Sequence, residues 1–137
     1  MEDQWTLKEF QPEGSPEVWL FRKNLAPPVP AGDPSYRFIA FLTFRYLPKG
    51  IDGLPTTDDE AKFVEFEENY LPELEKNLLA IYVGAVTKNG IKDFLFYIRD
   101  PDEFQRRAAP LKAAYAQFRV EFEVLPDPQW EQYAEFP

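Results

Sequence analysis

The chain has 137 residues, 45% of them hydrophobic, with 13 Phe, 7 Tyr and 3 Trp, enough for one core and too aromatic for disorder. It contains no cysteine and no histidine, which excludes disulfides, thiolate nucleophiles, Ser-His and Cys-His systems and imidazole-bound zinc. A formal charge of −9 repels phosphate backbones and anionic membranes, so no nucleic acid and no membrane is an expected partner.

No run approaches the ~20 apolar residues that span a bilayer. Met1-Glu2-Asp3-Gln4 lacks the basic and apolar regions of a signal peptide, so the expected compartment is the cytoplasm.

Trp5 to Phe10 and Glu17 to Leu25 flank the turn Pro12-Glu13-Gly14-Ser15-Pro16 and read as an N-terminal β-hairpin within residues 1–25. It would extend a sheet edge or cover part of an open face. Residues 26–34 carry four prolines, so no regular element persists there. Tyr36 to Tyr46 is apolar on both faces, the mark of a central strand.

Thr57 and Glu60 have the spacing of a capping box at a helix start. Phe63, Phe66, Tyr70, Leu74 and Leu78 then recur at helical spacing as the expected buried stripe. Pro72 should split this helix near Tyr70. Residues 57–79 hold eight acids against Lys62 and Lys76, a net of −6.

Ala80 to Lys88 and Ile91 to Arg99 flank Asn89-Gly90, a two-residue hairpin signal. Asp100-Pro101-Asp102-Glu103 opens a second helix, with Asp100 as cap and Glu103 closing the box. Its buried stripe is Phe104, Ala108, Leu111 and Tyr115, distorted at Pro110. Phe118 to Leu125 alternates apolar residues against Arg119, Glu121 and Glu123. The tail, 126–137, shows no regular period and is expected to pack on the core.

From residue 36 to 125 the order is strand, helix, strand, strand, helix, strand. The expected fold class is therefore α+β: a ferredoxin-like βαββαβ antiparallel sheet with two helices on one face, extended by the N-terminal β-hairpin. The whole chain, 1–137, is read as a single domain.

Three segments carry a family resemblance. They are Tyr82-Val83-Gly84-Ala85-Val86-Thr87-Lys88-Asn89-Gly90 continuing through Asp93-Phe94-Leu95-Phe96-Tyr97, then Asp100-Pro101-Asp102-Glu103-Phe104, then Pro126-Asp127-Pro128-Gln129-Trp130-Glu131-Gln132-Tyr133. They resemble the bacterial family called domain of unknown function 695 over nearly the whole chain. The resemblance implies mostly architecture, since the family has no established activity and so no catalytic residues to carry over. It also implies a link to regulation, since some relatives are joined to a domain similar to ribonuclease E inhibitor B; residues 1–137 are not expected to include that domain.

Several residue groups stand as candidate sites. Gly84-x-x-Thr87-x-x-Gly90 has no following helix N-terminus and is better read as a turn glycine and a bulge glycine than as a phosphate loop. Glu121 and Glu123 share a strand face, but their alternation on the polar side with Arg119 beside them argues for solvation over acid–base chemistry. Asp58, Asp59 and Glu60 lack the calcium-loop pattern, so no metal and no cofactor is expected. The rings of Phe94, Phe96 and Tyr97 lack basic companions for stacking nucleic acid, and burial under the hairpin or the tail explains them better.

Two readings of function remain. The favoured one is a non-enzymatic protein-binding or regulatory module, with Asp58, Asp59, Glu65 and Glu68 facing a basic protein. The alternative is a small-ligand or weakly catalytic site at Tyr97, Asp127, Trp130 and Tyr133, against which stands Trp130 as a packing anchor and Asp127 as a turn former. A homodimer formed through the sheet is a further expectation.

Overall fold

Period-two alternation and turn chemistry divide the chain into strands and short helices. A computed structural model describes residues 4–137; the acidic start Met1-Glu2-Asp3 lies outside the described residues. The strands are β1 (Trp5–Phe10), β2 (Trp19–Asn24), β3 (Phe38–Arg45), β4 (Ala80–Lys88), β5 (Ile91–Ile98) and β6 (Arg119–Pro126). They form one sheet in the order β1-β2-β4-β5-β3-β6, every neighbouring pair antiparallel. The molecule is thus α+β, and the N-terminal hairpin extends the sheet rather than covering its face.

The helices are α1 (Thr57–Asn69), α2 (Leu71–Glu75), α3 (Pro101–Ala108), α4 (Leu111–Ala114) and α5 (Glu131–Glu135), with a 3-10 turn at Lys76–Leu78. The first four pack on one face of the sheet. Phe63, Phe66, Phe104 and Tyr115 from that layer join Phe44, Phe94 and Phe96 from the strands in the main core. Phe44 lies at its centre, with five ring neighbours at centroid distances of 5.1 to 6.0 Å. Such tilted and edge-on pairs add attraction beyond the area they bury.

The other face carries a second core of Tyr36, Ile39, Ile81, Val83, Leu95, Tyr97 and Trp130, with Val29 of the proline-rich segment packed against it. Alternation sends Phe94 and Phe96 to the helices and Leu95 and Tyr97 to the tail. So these rings are all buried, on opposite sides of the sheet.

Four local expectations need correction. The helix cap is Thr56, not Thr57: its hydroxyl accepts from the Asp59 N–H at 3.1 Å, and its backbone is extended at φ −68°, ψ 166°. Tyr70 and Leu78 are exposed, because the chain breaks at Tyr70 and again at Lys76, and Leu71 takes the buried position instead. Glu103 does not close a box. Its carboxylate turns to Arg106 and Arg107, while Asp100 caps the N–H groups of Asp102 and Glu103. Finally, the tail is partly helical, forming α5.

At Asn89-Gly90 both residues take positive φ (31° and 88°), as a tight hairpin demands. Gly84 sits where the β4–β5 register slips; a side chain there would meet the Phe136 ring at 3.0 Å and the Arg22 carbonyl at 3.1 Å.

Candidate functional site

β2 borders α1, with Arg22 reaching Glu67 across the gap between them. Along α1 the positions Thr57, Glu60, Ala61 and Val64 recur at helical spacing and line a groove beside β2. With Leu20 of β2 and the Leu54-Pro55 approach they line a groove of about 480 Å³. Its floor is aliphatic, Val64 is 45% exposed, and Glu60 stands exposed at the rim. Glu68 follows Val64 one turn later on the same stripe and is exposed.

The four acids expected to meet a partner do not form one surface. Asp58 and Asp59 line a separate hollow with Arg45, Tyr46 and Lys49. Glu65 accepts from the Tyr115 hydroxyl at 3.1 Å and lies 3.6 Å from the Lys62 ammonium. Only Glu68 belongs to the groove stripe. Glu67, by contrast, turns inward and holds Arg22 through both oxygens at 3.1 and 3.2 Å. Val64 is the residue that sequence reasoning did not single out, and Glu60 was weighed there only as a capping and cation-binding residue; the signal for the groove was the i, i+3, i+4, i+7 recurrence of Thr57, Glu60, Ala61 and Val64.

Beneath this helix lies a polar cluster. Arg22 stacks over Trp5 at 5.0 Å, and Trp5 lies 4.7 Å from the Tyr82 ring. The Tyr82 hydroxyl is buried, with no group among the described residues in good hydrogen-bonding geometry to it, and burial, reinforced by the nearby Glu67 carboxylate, pushes its pKa far up. It stays a neutral phenol. Lys92, 4% exposed, donates to the Thr87 hydroxyl at 3.0 Å; burial lowers its pKa, opposed by Glu60 and Glu67.

The tail residues do come together. The Trp130 indole stacks on Tyr97 at 3.9 Å and 5°, and its N–H donates to the Tyr36 carbonyl at 2.9 Å. The Tyr97 hydroxyl donates to Asp127 at 2.7 Å and accepts from the Tyr133 N–H at 3.0 Å. Asp127 also accepts the N–H groups of Glu131 and Gln132 at 2.9 and 3.0 Å, which starts α5. The Tyr133 hydroxyl donates to the Asn24 carbonyl at 2.7 Å. Every polar atom named here has an internal partner, and Trp130 is 1% exposed. A ligand at these residues would have to displace the indole.

Glu121 pairs with Arg45 at 2.5 Å and Arg119 at 3.2 Å, and the Arg45 contact holds its carboxyl below the usual range. Asp93, opposite Thr43, accepts from that hydroxyl; burial raises its pKa despite the bond. With Phe41 and Glu123 they line a shallow hollow on the part of the sheet that the tail leaves uncovered.

Among the described residues no group of three or more acidic side chains is arranged to hold a metal ion. No helix there is long and apolar enough to cross a membrane.

Comparison with known proteins gives one relationship. The model of a family of unknown function, DUF695, matches residues 4–136, and the chain belongs to that family. No curated protein and no solved structure matches it.

Proposed function

We propose that this member of the DUF695 family is a protein-binding module whose partner presents a basic segment with apolar side chains to the groove beside α1. The observation that carries the reading is the aliphatic floor of Leu20, Leu54, Pro55 and Val64 under the acidic rim of Glu60. An apolar contact needs desolvated surface, and a charged rim selects the partner and speeds its approach. The net of −6 across residues 57–79 supplies the long-range attraction. A ferredoxin-like frame is part of the same proposal. The order β4-β5-β3-β6, with α1 and α2 between β3 and β4 and α3 and α4 between β5 and β6, supports it.

Immobilised protein tests the reading by retention of partners at low salt and in 1 M salt, where the Debye length is about 3 Å. Binding should fall steeply with salt, and both Glu60→Lys and Val64→Glu should abolish it. A partner held equally well in 1 M salt, or indifferent to both substitutions, would contradict the assignment.

A further inference from the structure

We propose that β1 is a pairing edge for a second copy of this chain, joining two six-stranded sheets into one across a two-fold axis at Leu7. Among the described residues β1 pairs only with β2, so its outer edge is open. Leu7 is 65% exposed and Phe10 50% exposed on this strand, so each face of the sheet edge carries an exposed apolar side chain.

The direction of the free backbone groups follows from one hydrogen bond. The Leu25 N–H donates to the Gln4 carbonyl at 2.6 Å, so this opposed pair is a hydrogen-bonded one. Antiparallel pairs alternate, and the β1–β2 register runs without a bulge from Trp5↔Asn24 to Phe10↔Trp19. Thr6, Lys8 and Phe10 therefore bond to β2. Trp5, Leu7 and Glu9 direct their N–H and C=O groups outward.

A second β1 related by a two-fold axis normal to the sheet runs antiparallel and keeps both helix layers on one side. With the axis at Leu7, the outward groups of Trp5, Leu7 and Glu9 face those of Glu9, Leu7 and Trp5 of the second copy. Each pair then exchanges both of its N–H···O bonds. Leu7 covers its own symmetry mate, and Lys8 lies opposite Thr6. No like charges lie directly opposite each other. Moving the axis to Lys8 or Glu9 would set identical charges against each other, which is destabilising.

The opposite edge behaves differently. The Asp127 N–H donates to the Arg37 carbonyl at 2.8 Å, so by the same alternation β6 directs Val120, Phe122, Val124 and Pro126 outward. A two-fold axis at Phe122 opposes Glu121 to Glu123, an axis at either Glu opposes it to itself, and Pro126 has no N–H to offer. Like charges thus oppose the central register of β6 at Phe122, whereas the central register of β1 at Leu7 sets no like charges directly opposite each other.

Sedimentation equilibrium on the intact chain, over roughly 5 to 200 µM as suits a small interface, tests the proposal. The wild type should associate to a dimer. Leu7→Lys, which places two ammonium groups on the axis, should weaken association at least tenfold, while Leu125→Lys on β6 should leave it unchanged. Near-ultraviolet circular dichroism checks that each variant is folded. Amide exchange at Trp5, Leu7 and Glu9 should slow as concentration rises, with Thr6 and Lys8 protected throughout. Because both copies are acidic, added salt should strengthen the dimer, opposite to its effect on a basic partner. A monomer across the whole range, or a dimer indifferent to Leu7→Lys, overturns the proposal.

Discussion

Lys92 lies on β5 between Ile91 and Asp93, and alternation places it on the same side as Phe94 and Phe96. Its ammonium is therefore buried 5.9 Å from the Phe63 ring centre and 5.7 Å from that of Phe94, with the neutral Thr87 hydroxyl as its hydrogen-bond partner. A buried charge without a directly bonded counter-ion costs stability. Lys92→Met should accordingly raise unfolding free energy at pH 7 by about 1 to 4 kcal/mol, read by urea denaturation. The sign of the pH dependence follows from its lowered pKa. Between that value and the ordinary 10.5 the unfolded chain holds a proton that the fold releases, so the wild type gains on the Met variant as pH rises. A Met variant less stable at pH 7 would show that Thr87, Glu60 and Glu67 outweigh the burial. Trp130 is the contrasting case: its role as an anchor was readable from an isolated indole in a tail, while the Tyr97 ring it stacks on lies 33 residues earlier and could only be identified in three dimensions.

Elements set by local chemistry were legible before any contact was known. The Asn89-Gly90 hairpin, the Asp100 cap with Pro101 at the first helical position and the break near Pro72 all depend on neighbours in sequence. The start of α1 was misplaced by one residue because Thr56 and Thr57 each have an acid three positions on, so capping chemistry alone does not separate them. The extended backbone directly after Pro55 does. Thr56→Ala should cost about 1 kcal/mol, since it orphans the Asp59 N–H. Thr57→Ala, at an exposed helical position, should change stability by no more than about 0.5 kcal/mol in the same denaturation experiment. Equal costs would return the cap to Thr57. The end of the first helical stripe was illegible for a different reason: Arg107 donates to the Glu73 and Lys76 carbonyls at 3.2 and 2.9 Å, so a side chain of α3, distant in sequence, closes α2.

For the whole molecule, the absence of histidine removes the usual titration between pH 5 and 8. Apart from the rise that Lys92 contributes, stability should be nearly level across roughly pH 6 to 9 and fall above 10. Burial raises Tyr46 to about 12 and pushes Tyr82, Tyr97 and Tyr115 higher. A raised folded pKa gives stability that is complete below the unfolded value near 10 and is lost as pH climbs toward the folded one. Thermal denaturation from pH 6 to 12, followed together with tyrosinate absorbance at 295 nm (about the phenolate band), checks this: ionisation should coincide with unfolding. Tyrosines that ionise near 10 in a still-folded chain would refute it.

By itself the sequence determined the elements, the strand faces and the exclusion of thiol and imidazole chemistry, because alternation, caps, turns and composition act within a few residues. It also identified the family, through short motifs distributed along most of the chain. Tertiary structure alone decided which acids share a surface, that β2 and α1 border a groove, and which backbone groups face outward at each edge. Those outcomes depend on strand register and on how the helices dock on the sheet, and both are fixed by contacts between residues far apart in the chain.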